Sequence, residues 1–364
     1  MTTVGSPAPT ESAGDAGDAG ASGDAGSRYL KQMRFDPIGP AGQRRLDAAR
    51  VLVVGVGALG SVITEQLVRA GVGTVRLVDR DLVERSNLQR QVLYAEADIS
   101  RPKAAVAGER LRAINSDITI DPHIADFTPA NARQLADGCD LLIDGTDNLE
   151  TRYLLNDLAV QTGRPWVYGG CVGSFGQSAL IVPGRTPCLR CLFPDPPPAD
   201  ALPTCDTAGV LGPAVHLVAS LESTAALKWI VAGHPDGAVA FLTVADPWNG
   251  TFRRVTLADP QPDCPTCGRH EFDWLDGRRG SVAVVLCGRN TVQIAAPAGG
   301  FDLPAVAARL AADGTVQTLP FLTRWQPRDR DGWTVTLFAD GRTLVEGTED
   351  IAAARSLHAK YIGA

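Results

Sequence analysis

The 364-residue chain has no excess of positive charge: 34 lysines and arginines stand against 41 aspartates and glutamates, a net charge of −7. Its cations are spread rather than striped, so the basic footprint of a nucleic-acid-binding protein is missing. Also missing is any apolar run read as long enough to span a bilayer, and the N-terminus has no basic start leading into an apolar stretch, as a signal peptide would. These absences predict a cytoplasmic protein with neither nucleic acid nor membrane as partner. Residues 1–27 have almost no apolar bulk. Their Gly-Asp-Ala and Ala-Gly-Asp repeats cannot bury enough surface to offset ordering entropy, so they read as a disordered tail. The eight cysteines do not make a disulfide framework and suit a reducing compartment.

What is present begins with four of those cysteines. Cys188 and Cys191 form one Cys-x-x-Cys pair, and Cys264 and Cys267 form another. Two such clips far apart in sequence are the usual cage for one structural Zn²⁺, because each pair offers two sulfurs to a tetrahedral ion. The metal would tie the middle of the chain to a distant segment.

A short helical pattern from Ala41 to Ala49 leads into Val51-Leu52-Val53-Val54, a buried parallel strand by length and branching. The strand feeds Gly55-Val56-Gly57-Ala58-Leu59-Gly60, then a helical pattern from Ser61 to Arg69 and a second strand, Val75 to Val78, ending at Asp79. Gly55, Gly57 and Gly60 allow a tight turn and close approach to phosphate at a helix N-terminus, and Asp79 is placed to accept from ribose hydroxyls. The implied fold class is α/β, a Rossmann-like and mostly parallel sheet with helices on both faces.

Taken alone the glycine turn would suit a dehydrogenase. The residues after Asp79 argue against nicotinamide. Asn87, Arg90 and Lys103 supply an amide and two cations that hydride transfer does not need. A triphosphate does need them, because its charge must be neutralised before its α-phosphorus can be attacked. Lys103 opens a helical pattern running to Ile114, where side chain and helix dipole both favour an anion. A further strand, Leu141 to Ile143, ends in Asp144-Gly145-Thr146-Asp147-Asn148, at the sheet edge where open α/β folds bind ligands. One of these acids is suited to Mg²⁺, or to capping the next helix.

Together, the glycine turn, Asp79, Asn87-Leu88-Gln89-Arg90-Gln91, Lys103, Thr146-Asp147-Asn148 and the cysteine pairs resemble the ubiquitin-activating-enzyme-like adenylyltransferases of the ThiF/MoeB/HesA type. The resemblance runs from about Arg28 to His270. It implies an enzyme that uses ATP and Mg²⁺ to adenylate the C-terminal glycine of a ubiquitin-like sulfur-carrier protein ending in Gly-Gly. Pyrophosphate would be released, and the sulfur would serve molybdenum cofactor, thiamine or a related biosynthesis. By the same resemblance Asp79 would bind ribose, Asn87, Arg90 and Lys103 the phosphates, and Asp147 the magnesium. It also implies a homodimer in which an arginine of an Arg-Tyr-x-Arg-Gln motif reaches the partner's ATP; here Lys31 stands in that place, keeping the charge without the bidentate fork.

Cys205 follows a proline-rich stretch, Pro194 to Pro203. A loop thiol there is suited to capturing an acyl group or relaying sulfur, and the resemblance implies a thioester or acyl-disulfide in some relatives. A sulfurtransferase or cysteine desulfurase would then be a further partner. The glycines of Val167 to Gly170 and Gly173 to Gly176 fit either a channel for a diglycine tail or close packing of strands.

The domain reading is a tail over 1–27, an ATP-binding unit with the zinc site over 28–270, and a small α+β unit over 271–364. In the last, strands are expected at Val282 to Leu286, Val292 to Ala295 and Val316 to Trp325. A helix is expected from Leu303 to Ala312, a hairpin around Asp340-Gly341, and a final helix from Asp350 to Tyr361. Cys287 lacks the loop of a sulfurtransferase and reads as a structural or free thiol. Two other readings compete with the enzyme: an inert, zinc-clipped nucleotide-binding scaffold, and more distantly a nicotinamide oxidoreductase. Arg90, Lys103 and Asp147 together favour the enzyme, since a scaffold needs none of them.

Overall fold

Two short helices, α1 (Leu30–Met33) and α2 (Gly39–Ala48), lead into β1 (Arg50–Val54). Val51 to Val54 are all buried, as a central strand covered on both faces requires. The structure is a computed structural model that describes residues 28–196, 205–233, 240–279, 283–286, 290–294 and 300–363; the side chains of 205, 206 and 283–286 are outside that description.

Strand and helix alternate from β1 onward, through α3 (Ala58–Ala70), β2 (Thr74–Val78), α4 (Lys103–Ile114) and β3 (Thr119–His123). The alternation continues with α5 (Ala132–Ala136), β4 (Leu141–Asp144), α6 (Leu149–Thr162) and β5 (Trp166–Val172). These five strands lie in the order β3-β2-β1-β4-β5, all parallel. Strand order therefore reverses between β1 and β4, which opens a crevice at their carboxyl ends.

The sheet then changes character. β6 (Phe175–Ile181) folds back antiparallel on β5. After α7 (Leu189–Leu192), α8 (Cys205–Ala208) and α9 (Gly212–Ala232), strands β7 (Phe241–Asp246) and β8 (Thr251–Thr256) complete eight strands, also antiparallel. Helix α9 packs along α2 and α3 and across β5 and β6. By length and composition alone it is apolar enough to cross a membrane, contrary to the sequence reading that no segment was. Burial of Val215, Val218, Ala219 and Ala226 against the sheet and α3 accounts for that composition.

Residues beyond His270 remain part of this unit's core. Phe272, Trp274 and Leu275 pack with Tyr153, Cys188 and Cys191, and the Trp274 ring stacks on Tyr153 at 5.3 Å. The C-terminal unit follows with β9 (Ala283–Leu286), β10 (Thr291–Ile294), α10 (Leu303–Leu310), β11 (Gly314–Leu319), β12 (Leu322–Pro327), β13 (Thr334–Phe338), β14 (Thr343–Glu346) and α11 (Ile351–Tyr361). Its antiparallel sheet has the order β11-β12-β13-β14-β10-β9. The single strand expected over Val316 to Trp325 is two, paired Leu319 to Leu322 around Pro320-Phe321. The alternation runs on through the turn with no Gly, Asn or Asp to punctuate it. One face of this sheet buries Val292, Trp325, Val335 and Val345 against α10 and α11.

Candidate functional site

The carboxyl ends of β1, β2 and β4 and the amino end of α3 surround a cavity of about 380 Å³. Gly55, Gly57, Asp79, Asn87, Arg90, Lys103 and Asp147 all line it. They come from four separate stretches of chain, and the strand order alone brings them together. Gly55 has φ +84°, a conformation that penalises any side chain. Gly60 lies beneath it, where an added Cβ would collide with the Gly55 carbonyl. That contact lets the first turn of α3 present the amides of Ala58 and Leu59 to the cavity.

Asp79 does two jobs. One carboxylate oxygen accepts from the Val56 amide and the other from the Asp81 amide, each at 2.7 Å, so Asp79 fixes the glycine turn as well as facing the cavity. Burial pushes its carboxyl up from the ordinary range, against the opposing charge of Lys103. The Tyr94 hydroxyl donates to the Val56 carbonyl at 2.7 Å, holding the turn from the other side.

Lys103 is only 3% exposed, and its ammonium lies 3.2 Å from an Asp81 carboxylate oxygen. Its backbone amide donates to the Asp81 carbonyl at 2.9 Å. Asn87 is buried, accepts from the Glu84 amide at 3.2 Å and lines the cavity. Arg90 donates one N–H to the Ser86 carbonyl at 2.9 Å, and its Nε has no partner among the described residues. Asn148 caps α6 by accepting from the Thr151 amide at 3.1 Å. Asp147 is thereby spared from capping, and its carboxylate makes no hydrogen bond among the described residues.

Several charged residues of the site carry no signal legible in the sequence. Arg80 pairs with Asp126 at 3.0 Å, and Arg152 pairs with fully buried Asp144 at 2.8 Å; all but Asp144 line the cavity. Asp126 belongs to a loop without a motif, and Arg152 is the fourth residue of α6, with no pattern that marks it. Glu222, on α9, is fully buried with neither oxygen hydrogen-bonded among the described residues. Burial pushes its carboxyl well above the usual range. A Cβ on Gly169 would overlap that carboxyl and one on Gly176 would collide with Val218, whereas one on Gly170 would make only ordinary contact with Arg152. Close packing against α9 therefore explains Gly169 and Gly176.

Lys31 does not reach this cavity. It is exposed on α1, which is tied by Gln32 to the Ala70 carbonyl at 2.8 Å and by Tyr29 to Asn115 at 2.8 Å. Those anchors are the far ends of α3 and α4, about 20 Å along α3 from its amino end. Cys205 begins α8, and its side chain lies outside the described residues, as does all of Cys287. The backbone just beyond α8 returns to the tip of the β5–β6 hairpin, where Leu211 donates to the Gly173 carbonyl at 2.8 Å.

The two Cys-x-x-Cys pairs meet. The sulfurs of Cys188, Cys191, Cys264 and Cys267 all lie within 4.8 Å of one another, with separations of 3.6 Å for Cys188 to Cys264 and 3.3 Å for Cys191 to Cys267. Four sulfurs at about 2.3 Å from a tetrahedral ion stand about 3.8 Å apart, so the cluster has the size of a four-thiolate metal site. Asp157 of α6 braces it by accepting from the Thr266 hydroxyl and the Trp274 amide, both at 2.9 Å. None of the four cysteines lines the cavity at the ends of β1, β2 and β4.

A model of the ThiF family matches residues 29–266. The sulfur carrier protein ThiS adenylyltransferase of Bacillus subtilis is 45% identical over 345 residues, covering 92% of this chain and 99% of that protein. The sulfur carrier protein adenylyltransferase of Thermus thermophilus is 43% identical over 246 residues, 66% of this chain and 90% of that protein. The pig adenylyltransferase and sulfurtransferase MOCS3 is 39% identical over 274 residues, 74% of this chain and 60% of that protein. Among solved structures, Escherichia coli MccB with ATP superposes with a TM-score of 0.59 at 20% identity, covering 68% of this chain and 75% of that one; this likeness concerns the fold.

Proposed function

Because the chain belongs to the ThiF family, we propose that it is an adenylyltransferase that uses ATP to activate the C-terminal glycine carboxylate of a ubiquitin-like sulfur-carrier protein. Lys103 carries this reading: a buried ammonium in the same cavity as a helix N-terminus and a ribose-type acid is an anion site built into the fold. Two relatives that are 45% and 43% identical have names that specify adenylylation of a sulfur carrier, which supports the substrate class. An inert scaffold would have no use for Lys103, Arg90 and Asp147 around one cavity.

The reaction asks little of the protein as acid or base. An ionised carboxylate oxygen bonds to the α-phosphorus, the bridging P–O bond to the β-phosphate breaks, and pyrophosphate leaves with the electron pair. No proton is transferred, so catalysis is positioning and charge stabilisation. Asp79 binds the ribose, while Asn87, Arg90, Lys103 and the first amides of α3 hold the phosphates. Described lining residues carry four cations, Arg80, Arg90, Lys103 and Arg152, against five carboxylates, Asp79, Asp81, Glu84, Asp126 and Asp147. A triphosphate adds further negative charge, so the donor set fits a divalent cation, and Mg²⁺ held by Asp147 would neutralise phosphate oxygens.

Zn²⁺ is the ion the four-thiolate cluster fits best, as a structural brace rather than a reactant. Lys31, remote from its own chain's cavity, is suited to a partner subunit's phosphates in a homodimer. Cys205 is the candidate thiol for a thioester or acyl-disulfide with the carrier. A cytoplasmic location follows from the same reading.

Carrier-dependent exchange of labelled pyrophosphate into ATP tests the proposal. A purified carrier ending in Gly-Gly should support exchange, and Lys103→Ala should lower it by on the order of 100-fold or more. Near-normal exchange in that variant would sink the assignment.

A further inference from the structure

The C-terminal unit packs directly behind residues that line the cavity, without lining it itself. The second face of its sheet packs Leu322, Phe338 and Leu344 around Leu82, a residue of the first unit. Arg342, between the Asp340-Gly341 turn and the start of β14, is 2% exposed. Its guanidinium lies over the Phe338 ring at 3.7 Å and donates to the Arg80 carbonyl at 2.5 Å. From β10, Gln293 donates to Asp126 at 3.0 Å, on the same oxygen that Arg80 grips from the cavity side at 3.0 Å.

These contacts converge on four consecutive residues. Asp79 holds the glycine turn, the Arg80 carbonyl is held by Arg342, the Asp81 carboxylate faces Lys103, and Leu82 is gripped by the C-terminal sheet and bridges to Pro102. A buried guanidinium is costly unless its hydrogen bonds are made. Arg342 nevertheless has only one side-chain hydrogen bond among the described residues, with Nε 3.8 Å from Asp340 and Nη1 unpartnered. A cation kept on those terms at a domain junction fixes a position more than it adds stability.

We infer that Arg342 and Gln293 are positioning residues of the nucleotide site, through which the C-terminal unit sets the affinity for ATP by fixing residues 79–82 and, with them, Lys103. The inference rests on the proposed reading of the cavity as an ATP site. Neither residue touches the cavity; both act through Arg80 and Asp126. Linkage makes the effect reciprocal, so ATP tightens the docking of the C-terminal sheet.

The test uses the full chain as wild type, Arg342→Met, Arg342→Lys and Gln293→Met. ATP Kd is measured by calorimetry without carrier, and ATP KM and kcat by pyrophosphate exchange with carrier. In Arg342→Met, ATP Kd and KM should both rise about tenfold, with kcat at saturating ATP and carrier KM within about twofold. Arg342→Lys should recover part of the affinity, because an ammonium can still donate to the Arg80 carbonyl. ATP should slow hydrogen exchange across Thr343–Glu346 in the wild type and lose that effect in Arg342→Met. An unchanged ATP Kd in folded Arg342→Met overturns the inference; if that variant does not fold, an unchanged Kd in Gln293→Met does so. Wild type that binds ATP but supports no exchange with any carrier would overturn the adenylyltransferase reading and leave the positioning role standing, whereas wild type that binds no ATP overturns both.

Discussion

Arg152 donates from Nε to Asp144 at 2.8 Å and from Nη2 to the Thr146 carbonyl at 2.7 Å. The first turn of α6 is thereby locked to the end of β4, and Asp147, in the short connection between them, lines the cavity. Burial pushes the Asp144 carboxyl up and Arg152 opposes it, so the acid depends on its partner to stay charged.

Breaking that pair should therefore be severe. Arg152→Met leaves a fully buried carboxylate without its cation and should cost about 3–5 kcal/mol of stability. Urea denaturation measures it, and Asp144→Asn added to Arg152→Met should recover part of the loss. Equal stability of single and double variants would show that the pair is not coupled.

The cysteine cluster makes a separate prediction. Purified protein should hold about one Zn²⁺ per chain, and Cys264→Ser should abolish stoichiometric metal and cost at least several kcal/mol. Metal analysis and thermal melting report the two effects. Because no cluster residue lines the cavity, whatever fraction stays folded should bind ATP with ordinary affinity.

Glu222 gives a pH dependence with a definite sign. Its carboxyl is raised first by burial and then by Asp144, with Arg152 opposing. The native state keeps a proton that the unfolded chain releases above about pH 4.3. Stability is thus greatest below that pH and falls as pH rises toward the native value. Glu222→Gln removes the titration at nearly constant volume. Its melting temperature should exceed that of wild type at about pH 8, with the gap closing toward about pH 4. Parallel pH profiles for the two proteins would contradict this.

How much of the site is legible in the sequence depends on how local its signals are. Gly55, Gly57, Gly60 and Asp79 sit within one βαβ unit, where spacing and chemistry are coupled by a single turn, and all but Gly60 line the cavity. Lys103 is legible because it opens a helix directly after a proline. Glu222 is not, because α9 is apolar on nearly every side and one acid within it carries no periodic mark. Arg342 and Gln293 are equally silent. Each looks like an ordinary strand residue until the second sheet is placed against Leu82.

The sequence by itself determined which groups are on offer: a glycine turn, an acid closing the second strand, two nearby cations and four cysteines in two clips, all set by short-range spacing. Tertiary structure decided what those groups meet. The reversal of strand order between β1 and β4 gathers the glycine turn, the acid and the cations into one cavity. The distance between the cysteine pairs closes in the fold, where Asp157 of α6 holds Thr266 and Trp274 and Gln261 donates to the Cys191 carbonyl. The wall bearing Arg80 and Asp81 is held from behind by a unit more than 200 residues later in the chain, a relation that no local pattern encodes, because buried charge and packed surface are properties of the assembled fold.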